Sequence, residues 1–178
     1  MESGADAPLR PYLSLSRTLD KVRPGGVIAF ITSKGTMDKE NPNVRKYIAQ
    51  RADLLGAIRL PNDTFKAAAG TEVTSDIIFL QKRDRLVDIE PDWVHLATDA
   101  NGIRMNAYFV DNPEMVLGDM QMVSGPHGME SACIAYENAE LEDLLRDAIQ
   151  NIHAEITEFE IDDLEAEDED LSIPADPD

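Results

Sequence analysis

Three short apolar runs set the pattern of the chain: 27–32 (VIAFIT), 54–60 (LLGAIRL) and 77–80 (IIFL). Each is rich in Ile, Leu, Val and Phe and bordered by Gly, Pro, Asn or Asp. Runs of this length and texture predict strands covered on both faces, as in α/β sheets. Upstream, Tyr12, Leu15, Leu19 and Val22 recur at spacings of three and four, which predicts a helix over 9–22 with one apolar face. Pro24-Gly25-Gly26 stops that helix and turns the chain into the first strand. The segment SKGTMDKE after the strand reads as a polar loop, at the end of the strand where open α/β sheets hold ligands.

Asn41 is positioned to cap a second helix, 42–52, with Pro42 at its first position. Pro61-Asn62-Asp63 ends the second strand. Phe65 follows, and then Lys66-Ala-Ala-Ala-Gly70, a small-residue stretch that reads as a mobile loop. The link to the third strand, 76–82, is too short for a covering helix, so the second and third strands are expected to be antiparallel neighbours. The helix–turn–strand opening looks like half of a βαβ unit whose preceding strand comes from elsewhere.

The texture changes after Asp84. Strands are expected at 93–97, 107–110, 120–124 and 131–136, separated by Asn101-Gly102, Asn112-Pro113 and Gly125-Pro126. Asn101-Gly102 suits a hairpin turn. Met115, Met120, Met122 and Met129 read as gap-fillers. A helix over 138–155, capped by Asn138, carries Leu141, Leu144, Leu145, Ala148 and Ile152 on one face. The chain thus divides into a disordered leader (1–8), an α/β part (9–85), a β-rich appendage (86–137), a helix (138–155) and an acidic tail or linker (156–178).

Charge sharpens that division. Of the 178 residues, the first 85 hold 14 Lys/Arg against 10 Asp/Glu, whereas the remainder hold 2 against 25, for a net charge of −19. A mildly basic half joined to a strongly acidic one points to two segments with different roles. From Glu155 onward there are twelve acids and no bases, a composition that does not order itself. No apolar run approaches a membrane span, and the N-terminus lacks the blocks of a signal peptide. The single cysteine, Cys133, reads as a small buried residue and fits a reducing cytoplasm.

Little of the chain carries recognisable chemistry. Neither GxGxxG nor GxxxxGK[ST] occurs. His95, His127 and His153 are dispersed and no CxxC or HExxH is present, so no metal site is expected. The helix 42–52 carries Arg45, Lys46 and Arg51, which read either as a solvated face or as a phosphate-contacting face that Lys66 would extend.

The segments LDKVRPGGVIAFITSKGTM, NVRKYIAQRADLLGAIRLPNDTF and GTEVTSDIIFLQK, spanning about residues 10–83, resemble the later part of adenine-N6 DNA methyltransferases. The pattern is that of type I restriction-modification M subunits, and closer still of the large methylase–helicase proteins of phages and mobile elements. The resemblance implies a partial Rossmann-like, S-adenosylmethionine-dependent fold in which this chain supplies the last strands of the sheet, the final pair antiparallel. It also implies that Phe65 lies by the target base, where an aromatic face stacks on a flipped adenine; as a residue, Phe65 reads equally as an anchor of its loop.

The family's cofactor-binding Gly-rich motif and its Asn/Asp-Pro-Pro-Tyr/Phe tetrapeptide are absent, and Asn41-Pro42-Asn43 is no substitute. No catalytic residue is assigned. The leading expectation is therefore a methyltransferase fragment, inactive alone, that needs S-adenosylmethionine and DNA only together with an upstream half or the rest of a methylase–helicase chain. A second expectation is a non-enzymatic module that binds DNA or a partner subunit through Arg45, Lys46, Arg51 and Lys66. A third, an acidic decoy imitating DNA, is weakened by the placement of so many acids in a tail.

Overall fold

The Pro24-Gly25-Gly26 turn, with Gly25 at φ 78°, carries the chain from helix α1 (Arg10–Lys21) into strand β1 (Val27–Ser33). A computed structural model describes residues 10–154 except Thr71; the leader and the acidic tail expected from the sequence lie outside the described residues. After β1 come the short helix α2 (Gly35–Asp38), helix α3 (Asn43–Arg51) and strand β2 (Ala52–Leu60). The short helix α4 (Lys66–Ala69) then leads to strand β3 (Ser75–Lys82).

These strands form one sheet in the order β1-β3-β2. β2 and β3 are antiparallel neighbours, as the short connection requires, with Ile58 opposite Ile77 and Ala57 opposite Ile78. β3 is also antiparallel to β1, with Phe30 opposite Ile78. β3 is thus the central strand, and its Ile78 and Leu80 are buried. Among the described residues the arrangement is mixed α/β, with small antiparallel sheets and no barrel; the antiparallel final pair expected from the resemblance is present, and no fuller Rossmann-like sheet is shown.

Two local expectations within this part are corrected. SKGTMDKE is not simply a polar loop, because α2 turns Thr36 and Met37 into the core. The 66–70 stretch is the single helical turn α4, closed by Gly70 at φ 69°. The cap expected at Asn41 is corrected as well: Pro42 takes the N-cap of α3, and Asn41 stands one residue ahead of it, its Oδ1 accepting from the Asn43 amide at 3.0 Å.

The appendage begins with a 3-10 turn, Asp92–Val94, and a hairpin of β4 (Leu96–Thr98) and β5 (Arg104–Asn106) whose loop carries Gly102 at φ 79°. The expected strand at 107–110 is instead helix α5 (Ala107–Asp111). Asn106 decides this, since its side chain accepts the Tyr108 amide at 2.9 Å and so satisfies a donor at the helix start. A second hairpin, β6 (Asp119–Gly125) with β7 (Gly128–Ile134), follows. Helix α6 (Leu141–Gln150) starts later than expected because Asn138 adopts a left-handed φ of 60° and Glu140 occupies the N-cap. Its Ala148 is buried, and Leu141, Leu144, Leu145 and Ile152 pack against the common core. Among the described residues no helix is long and apolar enough to cross a membrane.

Candidate interaction surface

The two edges of the main sheet end differently. Beyond β2, the Leu117 amide donates to the Arg59 carbonyl at 2.9 Å, and Val116 forms a parallel bridge with Arg59. Tyr108 and Ile152 crowd the β2 face at Gly56, where an added Cβ would lie 3.1 Å and 3.0 Å from their atoms. The appendage thereby covers β2 at Gly56 and Arg59. No described segment pairs with the outer edge of β1.

Exposure along β1 alternates. Ile28 and Phe30 pack against the core, while Val27 and Ile31 are 54% and 62% exposed. The expectation that all three strands are covered on both faces therefore fails at β1. Residues at alternate positions point to opposite faces, and nothing described covers the outer face of this strand. Ile77 and Phe79, opposite Ile31 and Ala29 on that face, are only half-buried. An uncharged strand with an open edge and exposed branched side chains is a template for another polypeptide.

The basic residues singled out from the sequence do not form one free cationic face. Arg45 is 1% exposed and donates to the carbonyls of Val94, Thr36 and Lys39 at 2.7, 3.2 and 2.7 Å, tying α3 to α2 and to the appendage. A guanidinium so enclosed is beyond the reach of a phosphate. Arg51 lies 3.5 Å over the Tyr47 ring and donates to the Tyr47 carbonyl. Lys46 pairs with Glu90 at 3.0 Å and Lys66 with Glu72 at 2.6 Å, both at the surface. Phe65 stands at the N-cap of α4 and packs, half-buried, against the core.

The carboxyl end of the sheet is roofed by the β6–β7 hairpin. The Asn62 amide donates to the Cys133 carbonyl at 2.8 Å, and the Cys133 amide to Thr74 Oγ1 at 3.0 Å. A cleft of about 320 Å³ remains there, with Lys34, Glu72 and Glu130 at its rim. Burial pushes the Cys133 thiol up to about 12, which rules it out as a thiolate nucleophile at neutral pH. Among the described residues no His, Cys, Asp and Glu cluster is placed to hold a metal ion.

Sequence reasoning missed the polar hub beneath this roof. Arg59, with no exposed side-chain surface, grips Asp76 through Nε and Nη2 at 2.8 and 2.9 Å, and Asp38 through Nη1 and Nη2 at 2.8 and 2.9 Å. Its Cζ lies 4.4 Å from the centre of the Phe109 ring. Burial alone would lower the Arg59 pKa; Asp76 and then Asp38 hold it above the ordinary value. Burial pushes the Asp76 carboxyl upward, against the pull of Arg59. Asp38 also accepts the Asn106 amide at 3.0 Å, and Asn106 Nδ2 donates to Met37 and Trp93 carbonyls. One network therefore joins β2, β3, α2 and the appendage. The signal available in the sequence was an Arg lodged inside an apolar strand, which requires buried counter-charges.

No family model and no solved structure matches the chain. It is 32% identical over 83 residues to "Defense against restriction protein B" of Escherichia phage P1, a match covering 46% of this chain and 4% of that protein. The relative is named for defence against restriction and not for methyl transfer, and this corrects the expectation that the chain is an adenine methyltransferase fragment.

Proposed function

We infer that this chain is a non-enzymatic interaction module that docks a partner polypeptide through the open edge of its main sheet, in the service of defence against restriction. The observation that carries the reading is the exposure of Val27 and Ile31 on an uncharged strand whose outer edge no described segment pairs, while the opposite edge is bridged at Arg59. The restriction context rests on the likeness to the phage P1 protein. A polypeptide partner is favoured over DNA because Arg45 is enclosed and Lys46 and Lys66 already face carboxylates. The net charge of −19 opposes a second polyanion.

Two titrations of the full chain test the reading. Bis-ANS, a dye that lights up on apolar surface, is expected to bind the wild type and to lose that signal in the Val27→Lys/Ile31→Lys variant. A labelled DNA duplex at low salt is expected to give no anisotropy change. DNA binding that falls steeply with salt and disappears on Lys46→Ala/Lys66→Ala substitution would overturn the reading in favour of nucleic acid.

A further inference from the structure

We propose that the occupant of the β1 edge is the β1 strand of a second copy of this chain, paired antiparallel about a two-fold axis through Phe30. This rests on the docking reading above and names its partner. Lys82 N donates to Gly26 O and Lys34 N to Thr74 O, both at 2.9 Å. In an antiparallel ladder hydrogen-bonded positions alternate, so Gly26, Ile28, Phe30, Thr32 and Lys34 face β3. The amides and carbonyls of Val27, Ala29, Ile31 and Ser33 then face the open side.

Those four positions are self-complementary. Centring the two-fold at Phe30 pairs Val27 with Ser33 and Ala29 with Ile31 of the second copy. All are outward-facing positions, so about eight backbone hydrogen bonds form without disturbing β3. The same register keeps each cross-strand pair on one face, with Ile31 beside Ala29 of the other copy. Between Val27 and Ser33 there is no charge, no proline and no bulge, none of the devices by which exposed edges are kept apart.

Two further features favour a closed pair of like chains. Among the described strands β1 is the edge left wholly unpaired, whereas Val116 and Leu117 bridge β2 at Arg59; pairing of β1 with its own copy is isologous and closes as a two-fold dimer. The charge is also placed for it. The half with 2 bases against 25 acids begins after residue 85, and its described part packs on the β2 side. Two acidic chains therefore meet through their mildly basic halves.

Sedimentation velocity of the full chain over a wide concentration range tests this. A monomer–dimer equilibrium is expected, lost in Val27→Lys/Ile31→Lys. Ala29→Pro is the second variant, because it removes an outward amide and leaves every β1–β3 bond in place; circular dichroism checks that each variant folds. A wild type that stays monomeric while still binding bis-ANS overturns the self-pairing and leaves the docking reading standing. A monomer that binds no dye overturns both. A dimer unaffected by the lysine and proline substitutions places the interface elsewhere and overturns the proposal.

Discussion

Arg59→Met is the substitution whose consequence the structure defines most sharply. Methionine keeps much of the arginine's apolar length beneath Phe109 but removes the guanidinium that two carboxylates share, one with no exposed surface and one 9% exposed. Four hydrogen bonds are lost, and Asp76 remains buried without a counter-charge. Breaking a buried pair from one side costs about 3–5 kcal/mol, a large share of the ~5–15 kcal/mol available to a domain. Asp38→Asn is expected to cost less, about 1–2 kcal/mol, because the Arg59–Asp76 pair survives and only a partly solvated, charge-assisted contact weakens.

The sign of the pH dependence follows from proton counting. In Arg59→Met the Asp76 carboxyl, already pushed up by burial, loses the charge that opposed that shift. Between its unfolded and folded pKa values the native state then holds a proton that the unfolded chain has released. Stability therefore falls as pH rises through this window, and the deficit shrinks on acidification toward the ordinary carboxylate range of about 4. Urea unfolding followed by circular dichroism at several pH values is the assay. A loss under about 1 kcal/mol, or a deficit that grows on acidification, would refute the assignment of Arg59 as the counter-charge.

Arg45→Ala is expected to act on stability by about 3 kcal/mol or more, since three carbonyls lose a charged donor; a thermal melt matching the wild type would return Arg45 to the surface. Cys133, fully buried and with its thiol pushed up to about 12, should react with Ellman's reagent only after denaturant is added, and prompt labelling in buffer would contradict its place under the hairpin. At Gly118 an added Cβ would meet the Ile134 carbonyl oxygen at 2.4 Å and Cys133 Sγ at 2.7 Å. Gly118→Ala should therefore lower stability by about 1–3 kcal/mol through overpacking, measurable as a reduced urea midpoint.

The main sheet was legible because its three strands are short, largely apolar runs, and because the 61–74 connection leaves room only for an antiparallel return. The site was much less so. α2 escaped because one buried side chain, Met37, is its whole apolar signal within a polar segment. The Tyr-Phe-Val run at 108–110 carries strand-like side chains, and only the Asn106 cap turns it into helix. Asp38, Arg59 and Asp76 are single charges separated by 17 to 38 positions, and nothing local couples them. Arg45 shows the converse: its place on a polar helix suggested a phosphate contact, and a long-range bond to Val94 encloses it. The open edge was visible as the missing neighbour of β1, but its extent depended on knowing that β3 lies on one side and nothing described lies on the other.

Residue-resolved hydrogen–deuterium exchange of the β1 amides separates an open edge from a covered one. In dilute solution the amides of Ile28, Phe30 and Thr32 should be protected by β3, and those of Val27, Ala29, Ile31 and Ser33 should exchange quickly. Raising the protein concentration should protect the second set as well. Uniform protection from Val27 to Ser33 in a sample that sediments as a monomer would mean that the edge is already covered within the chain, and the docking account would fail.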